Sequence, residues 1–233
     1  MAWQLDREGG AIHVVSTTRD QGDFAIDADP GALASRRRDI VDLPWVWLRQ
    51  VHGGEVRSVT RSTVGAIAGS EADALVTADA GIVLAIQTAD CLPVMLWSPE
   101  GVIGAAHAGW RGLDAGVVEA TAAAMRELGA TVIEARIGPC IAEECYEFGP
   151  SDLDEVATRL GDDVRGRTAA GTPALDLHRA FATVARRAGV ASWGTDASCT
   201  ACHPERWYSH RARAEPQRMA TVIWRDAPER SSP

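Results

Sequence analysis

GIVLAIQTADCLPVMLWSPEGVIGAAHAGWRG, residues Gly81 to Gly112, carries the densest run of structural signals in the chain. Gly81 to Thr88, Cys91 to Trp97 and Gly101 to His107 are short apolar runs bounded by turn residues, a pattern that predicts three strands. Pro99, Glu100 and Gly101 supply a hairpin turn between the last two. Beyond Gly112 the period changes. Val117, Val118, Thr121, Ala124, Met125 and Leu128 fall on one face, so a core-facing helix is expected over Leu113 to Leu128, with Gly129 as its stop.

Outward from this stretch the same patterns recur. Ile12 to Thr17, Trp45 to Leu48, Ala72 to Thr77, Thr131 to Ile137 and Met219 to Trp224 are expected as strands. Ser151 to Arg159 and Ala174 to Ala188 are expected as helices, the second with Asp176 near its start. Gly161 to Pro173 is polar and glycine-rich, the signature of a mobile loop or a weak boundary. Residues 1–233 are expected to form a single domain, with 226–233 (DAPERSSP) as a disordered tail.

Composition narrows the function. The 233 residues are 46% hydrophobic and carry a net charge of −9, which suits one large core and lacks the basic footprint of a nucleic-acid or anionic-membrane binder. Small molecules are the expected partners, with no nucleic acid and no membrane. All 23 basic residues are arginine, so Schiff-base, pyridoxal-phosphate and Walker A chemistries, each of which needs a lysine, are excluded. MAWQLDREGG places charges where a secretory signal would be apolar, and no segment reaches the length of a membrane span, so a cytoplasmic, monomeric protein is expected. Five cysteines in a reducing compartment read as thiols or ligands.

Three residues draw the chemistry together: His52 in RQVHGGEV, Cys91 in QTADCLPVML and His107 in GAAHAGWRG, each beside a Gly or Asp turn at the end of an apolar run. An imidazole, thiolate, imidazole set is a standard zinc combination, and three protein ligands leave a fourth position open for water or substrate. A fourth side chain such as Cys140 would close the site and make it structural. His107 precedes a helix start with Arg111 in the same turn, which gives an anion backbone N–H groups and a guanidinium. Arg49 and Arg211 are further candidates for phosphate contacts. Trp110, Trp207 and Tyr208 are candidates to stack on a base, or core residues. The run Cys199, Thr200, Ala201, Cys202, His203 has the spacing of covalent haem attachment, but without an export signal a loop or a structural zinc with Cys140 and Cys145 is the better reading.

RQVHG, EADALVT, TADCLPVML, AAHAGWRG, IGPCI, CTACHPERWYSHR and RMA, in this order, resemble the YfiH family, also called the polyphenol oxidoreductase or laccase-domain family. The resemblance implies an α/β (α+β) sandwich with mixed sheets flanked by helices, the cysteine hydrolase fold of bacterial deamidating toxins. It also implies a zinc ion on His52, Cys91 and His107. The implied activity is phosphorolysis of adenosine, inosine, guanosine and methylthioadenosine, with adenosine deaminase activity beside it. SHRARAEPQRMA departs from the tyrosine, paired arginines and Asp-Gly often found there in the family.

Four mechanisms follow. Phosphorolysis would hold phosphate and the purine nucleoside at the metal, while deamination would use the metal to activate water, with Asp73 or Glu55 shuttling the proton. A metal-free thiol hydrolase acting on a peptidoglycan precursor would use Cys91 as nucleophile and His107 as base. Copper-dependent phenol oxidation fits the His2Cys set, but of six histidines the other four, His13, His178, His203 and His210, are scattered and cannot also supply a three-copper cluster.

Overall fold

The computed structural model describes residues 2–5 and 10–227. The central stretch forms the expected strands and seats them in two different sheets. Strands β1 (Ala2–Leu5), β2 (Ile12–Ser16), β3 (Trp45–Val46), β4 (Val56–Ser58), β5 (Ala74–Thr77), β6 (Val83–Thr88), β7 (Leu92–Trp97), β8 (Ile103–Ala108), β9 (Ile133–Ile137), β10 (Arg165–Arg167), β11 (Pro173–Leu175), β12 (Val190–Thr195) and β13 (Met219–Arg225) follow along the chain. One sheet has the order β1-β2-β13-β6-β3, the other β12-β9-β7-β8-β5-β4, and β10 and β11 make a separate ribbon. Both large sheets mix parallel and antiparallel pairs.

The sheets meet face to face. Leu84 and Ile86 of β6, Ile12 and Val14 of β2 and Ile223 of β13 share one buried cluster with Leu75, Met95 and Ile103 of the other sheet. The helices α1 (Pro30–Ile40), α2 (Val64–Ile67), α3 (Trp110–Asp114), α4 (Val117–Glu127), α5 (Pro150–Leu160), α6 (Leu177–Arg187) and α7 (His210–Arg213) complete the chain. Val117, Val118 and Met125 of α4, Leu153 and Val156 of α5 and Phe181 and Val184 of α6 cover the six-stranded sheet, while Leu33 of α1 packs over the outer face of the other. β6, β7 and β8 are buried along their whole length. Cover on both faces explains their unbroken apolar sequence.

Several expectations are corrected. The helix expected over Leu113 to Leu128 is two helices, because Gly116 adopts a left-handed φ of 79° between them, and the first begins at Trp110 rather than at Leu113. Ala174 and Leu175 belong to β11, and α6 starts only where the Asp176 carboxylate accepts the N–H of Arg179. Gly161 to Pro173 holds a single helical turn at Asp162–Val164 and then the β10–β11 ribbon, whose turn is pinned by the Thr168 and Thr172 hydroxyls at 2.7 Å. β1, α1, β4 and β12 were not anticipated. α1 mixes arginines among few apolar positions and buries only Leu33. In the expected tail, Asp226 accepts a 2.7 Å bond from His13 Nε2, and residues 228–233 lie outside the described residues.

Candidate metal centre and its cleft

His52 sits on the loop between β3 and β4, Cys91 in the turn from β6 to β7, and His107 near the end of β8. One ligand atom from each lies within 4.8 Å of the others. The His52 and His107 rings stand 4.7 Å apart at 70°, and His52 Nε2 is 3.8 Å from Cys91 Sγ. His107 is buried, Cys91 half-buried and His52 exposed, so the set opens to solvent on one side.

Asp73 organises this arrangement. Its fully buried carboxylate accepts N–H groups from His52 (2.8 Å), Gly53 (2.7 Å) and Val51 (3.2 Å), and the Nδ1–H of His107 (2.9 Å). Burial pushes the Asp73 pKa up, but the His107 hydrogen bond and the loop amides outweigh it and hold the group below its ordinary range. An ionised carboxylate only accepts, so a neutral His107 ring carries its proton on Nδ1 and leaves Nε2 free to ligate a metal. The bonds from Asp73 also stabilise His52 at a left-handed φ of 62°. Gln50 fastens the same loop to β6, accepting the Gln87 N–H at 2.8 Å and donating to the Gln87 carbonyl at 2.7 Å.

The Cys91 turn is held as firmly. Asp90, buried at φ 100°, accepts from the Arg211 backbone N–H and the Thr200 hydroxyl, each at 2.6 Å. Gly109 completes the site by being small, since a Cβ there would lie 2.9 Å from Cys91 Sγ and 3.1 Å from His52 Cδ2. Burial raises the Cys91 thiol pKa, yet the charge and hydrogen bonds of His107, then those of His52, bring it down to about 6. Burial likewise lowers His107, and Cys91 and Asp73 lift it to about 9. Without metal the pair is therefore thiolate and imidazolium near neutral pH. Two imidazoles and an ionised thiol, with a carboxylate behind one ring, form the donor set of an open transition-metal site, and these residues fit such an ion.

A cleft of about 750 Å³ opens over the three residues. Arg49, Gln50, Gln87, Thr88, His210 and Arg218 are among its other lining residues. Gln87 Oε1 and Thr88 Oγ1 are buried without a protein hydrogen-bond partner. The sequence reading found Arg49 but missed Gln87 and Thr88, which look like ordinary strand residues until the cleft is visible. Arg111 and Arg211 do not line this cleft. Their guanidinium groups stack instead on Trp110 (4.3 Å) and Tyr146 (4.8 Å). Trp207 is fully buried and Tyr208 nearly so, both packed with Ala89 and Met219. Glu55 pairs with Arg57 at 2.7 Å.

Cys140 does not join the other cysteines as anticipated, because its buried thiol faces His178 Nε2 at 3.6 Å. Nor does it approach the first centre as a fourth ligand, which among the described residues groups only His52, Cys91 and His107. Cys145, Cys199 and Cys202 gather instead with Glu144.

The family model of multi-copper polyphenol oxidoreductase laccases matches residues 2–226. A Mycobacterium tuberculosis protein named purine nucleoside phosphorylase is 37% identical over 227 residues, covering 94% of this chain and 89% of that protein. Among solved structures, Neisseria meningitidis protein NMB0706 superposes with a TM-score of 0.84 at 27% identity, covering 97% of this chain and 99% of the other. Bacillus licheniformis YfiH shares the fold, with a TM-score of 0.79 at 24% identity over 91% and 92% of the two chains. The chain belongs to this laccase-domain family, the YfiH family. Among the described residues no helix is long and apolar enough to cross a membrane.

Proposed function

We propose that this chain is a zinc-dependent purine nucleoside phosphorylase working in the cleft above His52, Cys91 and His107. The observation that carries the reading is this donor set at the floor of a cleft whose roughly 750 Å³ suits a nucleoside, with Arg49 beside it. The names of relatives at 37% identity support the same chemistry.

In phosphorolysis a phosphate oxygen bonds to C1′ of the ribose as the bond from C1′ to the purine nitrogen breaks, and the purine takes the electron pair and a proton. No covalent enzyme intermediate is needed. Positioning and charge stabilisation are the main demands. When bound, zinc would act as a Lewis acid toward negatively charged oxygen. Arg49 offers phosphate a planar, doubly donating fork. Gln87 and Thr88 add polar residues to the lining of the same cleft. Asp73 works through His52 and His107, fixing their loop and tautomer. Arg111 and Arg211 would assist a substrate that reaches beyond Cys91 toward Tyr146.

Adenosine, inosine, guanosine and methylthioadenosine are the proposed substrates, and deamination of adenosine is a second outcome of the same site. The protein is proposed to act alone, as a cytoplasmic monomer in purine metabolism. Zinc is preferred to copper because three of the four remaining histidines are committed elsewhere, His13 to Asp226, His178 beside Cys140 and His203 to Glu205, and His210, which lines the cleft, is too little for a three-copper cluster. One observation favours a second reading, a thiol hydrolase of the cysteine hydrolase fold: Asp73, His107 and Cys91 form an aligned carboxylate, imidazole and thiolate series.

Chromatography of adenosine incubated with zinc-loaded protein, with and without phosphate, tests the proposal. Adenine appearing only with phosphate supports the phosphorylase. Inosine appearing without phosphate makes the site a deaminase, and no turnover in either tube leaves the thiol hydrolase.

A further inference from the structure

The second cluster has the chemistry of a closed metal site. Glu144 and Cys145 come from a single helical turn after β9, at Glu143–Cys145, and Cys199 and Cys202 from the segment between β12 and α7. Their ligand atoms all lie within 4.8 Å of one another. Cys145 Sγ is 3.3 Å from Cys202 Sγ, which is 3.7 Å from Glu144 Oε1. A tetrahedral zinc ion with bonds of about 2.0–2.3 Å holds its ligand atoms roughly 3.3–3.8 Å apart, so the set needs little adjustment. Cys199 Sγ also accepts the Ala142 backbone N–H at 3.3 Å. A thiol is a weak acceptor and a thiolate a strong one, so that amide is placed for a ligating sulfur. The pair is spaced C-x-x-C, as in structural zinc sites.

We propose that Glu144, Cys145, Cys199 and Cys202 bind a structural zinc ion, separate from the His52, Cys91 and His107 centre. Four protein ligands leave no open position, so the ion would tie two segments together rather than act on a substrate. Those segments brace the reactive turn. Thr200, between the two Cys ligands, donates its N–H to the Cys140 carbonyl at 3.0 Å and its hydroxyl to Asp90 at 2.6 Å. Ile141 donates its N–H to the Asp90 carbonyl at 2.9 Å. Both segments thus grip the residue preceding Cys91, and the ion would keep them in register.

Cobalt(II) titration of Cys91→Ala protein isolates this site, because the first centre then has no thiolate. Near-ultraviolet thiolate-to-cobalt absorption saturating at about one equivalent is expected. It should vanish when Cys202→Ser is added. Native mass spectrometry of unaltered protein, purified under reductant, gives the second readout, with about two zinc ions per chain expected. Folded Cys91→Ala protein without that absorption overturns the proposal. So does unaltered protein that carries one zinc, or that joins Cys145 to Cys202 in a disulfide with no metal there.

Discussion

Asp73→Asn changes two atoms' chemistry and almost no volume, so its effect isolates the hydrogen bonding. The carboxylate serves N–H donors from Val51, His52, Gly53 and His107 Nδ1, with His52 and His107 on one oxygen and Val51 and Gly53 on the other. An amide has only one acceptor oxygen, so whichever way it is seated one donor pair meets an NH2 group. Each buried donor left unsatisfied costs about 1–3 kcal/mol, and one or two are left depending on the seating, so metal-free Asp73→Asn protein should lose about 1–6 kcal/mol of stability. If the NH2 faces His107, the ring must accept on Nδ1 and protonate Nε2, which removes the free nitrogen. If it faces Gly53, the His52 loop loosens. Either way zinc affinity should fall by about 10–100-fold. Urea unfolding of metal-free protein measures the first effect, and competition with a chromogenic chelator the second. A variant within about 0.5 kcal/mol of the unaltered protein, with unchanged zinc affinity, would refute the role given to Asp73.

Alkylation of metal-free protein by iodoacetamide should follow Cys91 thiolate, rising with pH around a midpoint near 6, and His107→Ala should move that midpoint upward. Equal reactivity of both proteins across pH 5–9 would remove the coupling inferred between the two residues. Gly109→Ala places a methyl group 2.9 Å from Cys91 Sγ, and a displaced ligand should lower kcat/KM by about 100-fold with little change in the unfolding midpoint. Steady-state rates beside thermal melts separate the two effects. Arg49→Ala should raise KM for phosphate by about tenfold and leave KM for the nucleoside nearly unchanged, a split that initial rates at varied phosphate resolve.

The residues that make the candidate centre were legible because strand-end histidines and a cysteine beside Gly or Asp turns are unusual in otherwise apolar runs. His52, Cys91, His107 and Asp73 do meet. Arg111 and Arg211 were expected to serve an anion; Arg111 stacks on Trp110, while Arg211 stacks on Tyr146 and donates to the Glu147 carbonyl, tertiary contacts that spacing cannot show. Glu144 was hidden for a related reason. Its approach to Cys199 depends on how two distant loops fold together. The apolar strands were readable, but α1 has no apolar stripe to betray it and Gly116 divides a helix whose hydrophobic period runs on through the break.

Metal-dependent phosphorolysis at Cys91 is tested most directly by phosphorus NMR of inosine and inorganic phosphate incubated with zinc-loaded protein. Ribose 1-phosphate should appear in step with hypoxanthine, and Cys91→Ala protein should form neither. Ribose 1-phosphate produced at the full rate by Cys91→Ala, or by protein stripped of its metal, would contradict the account.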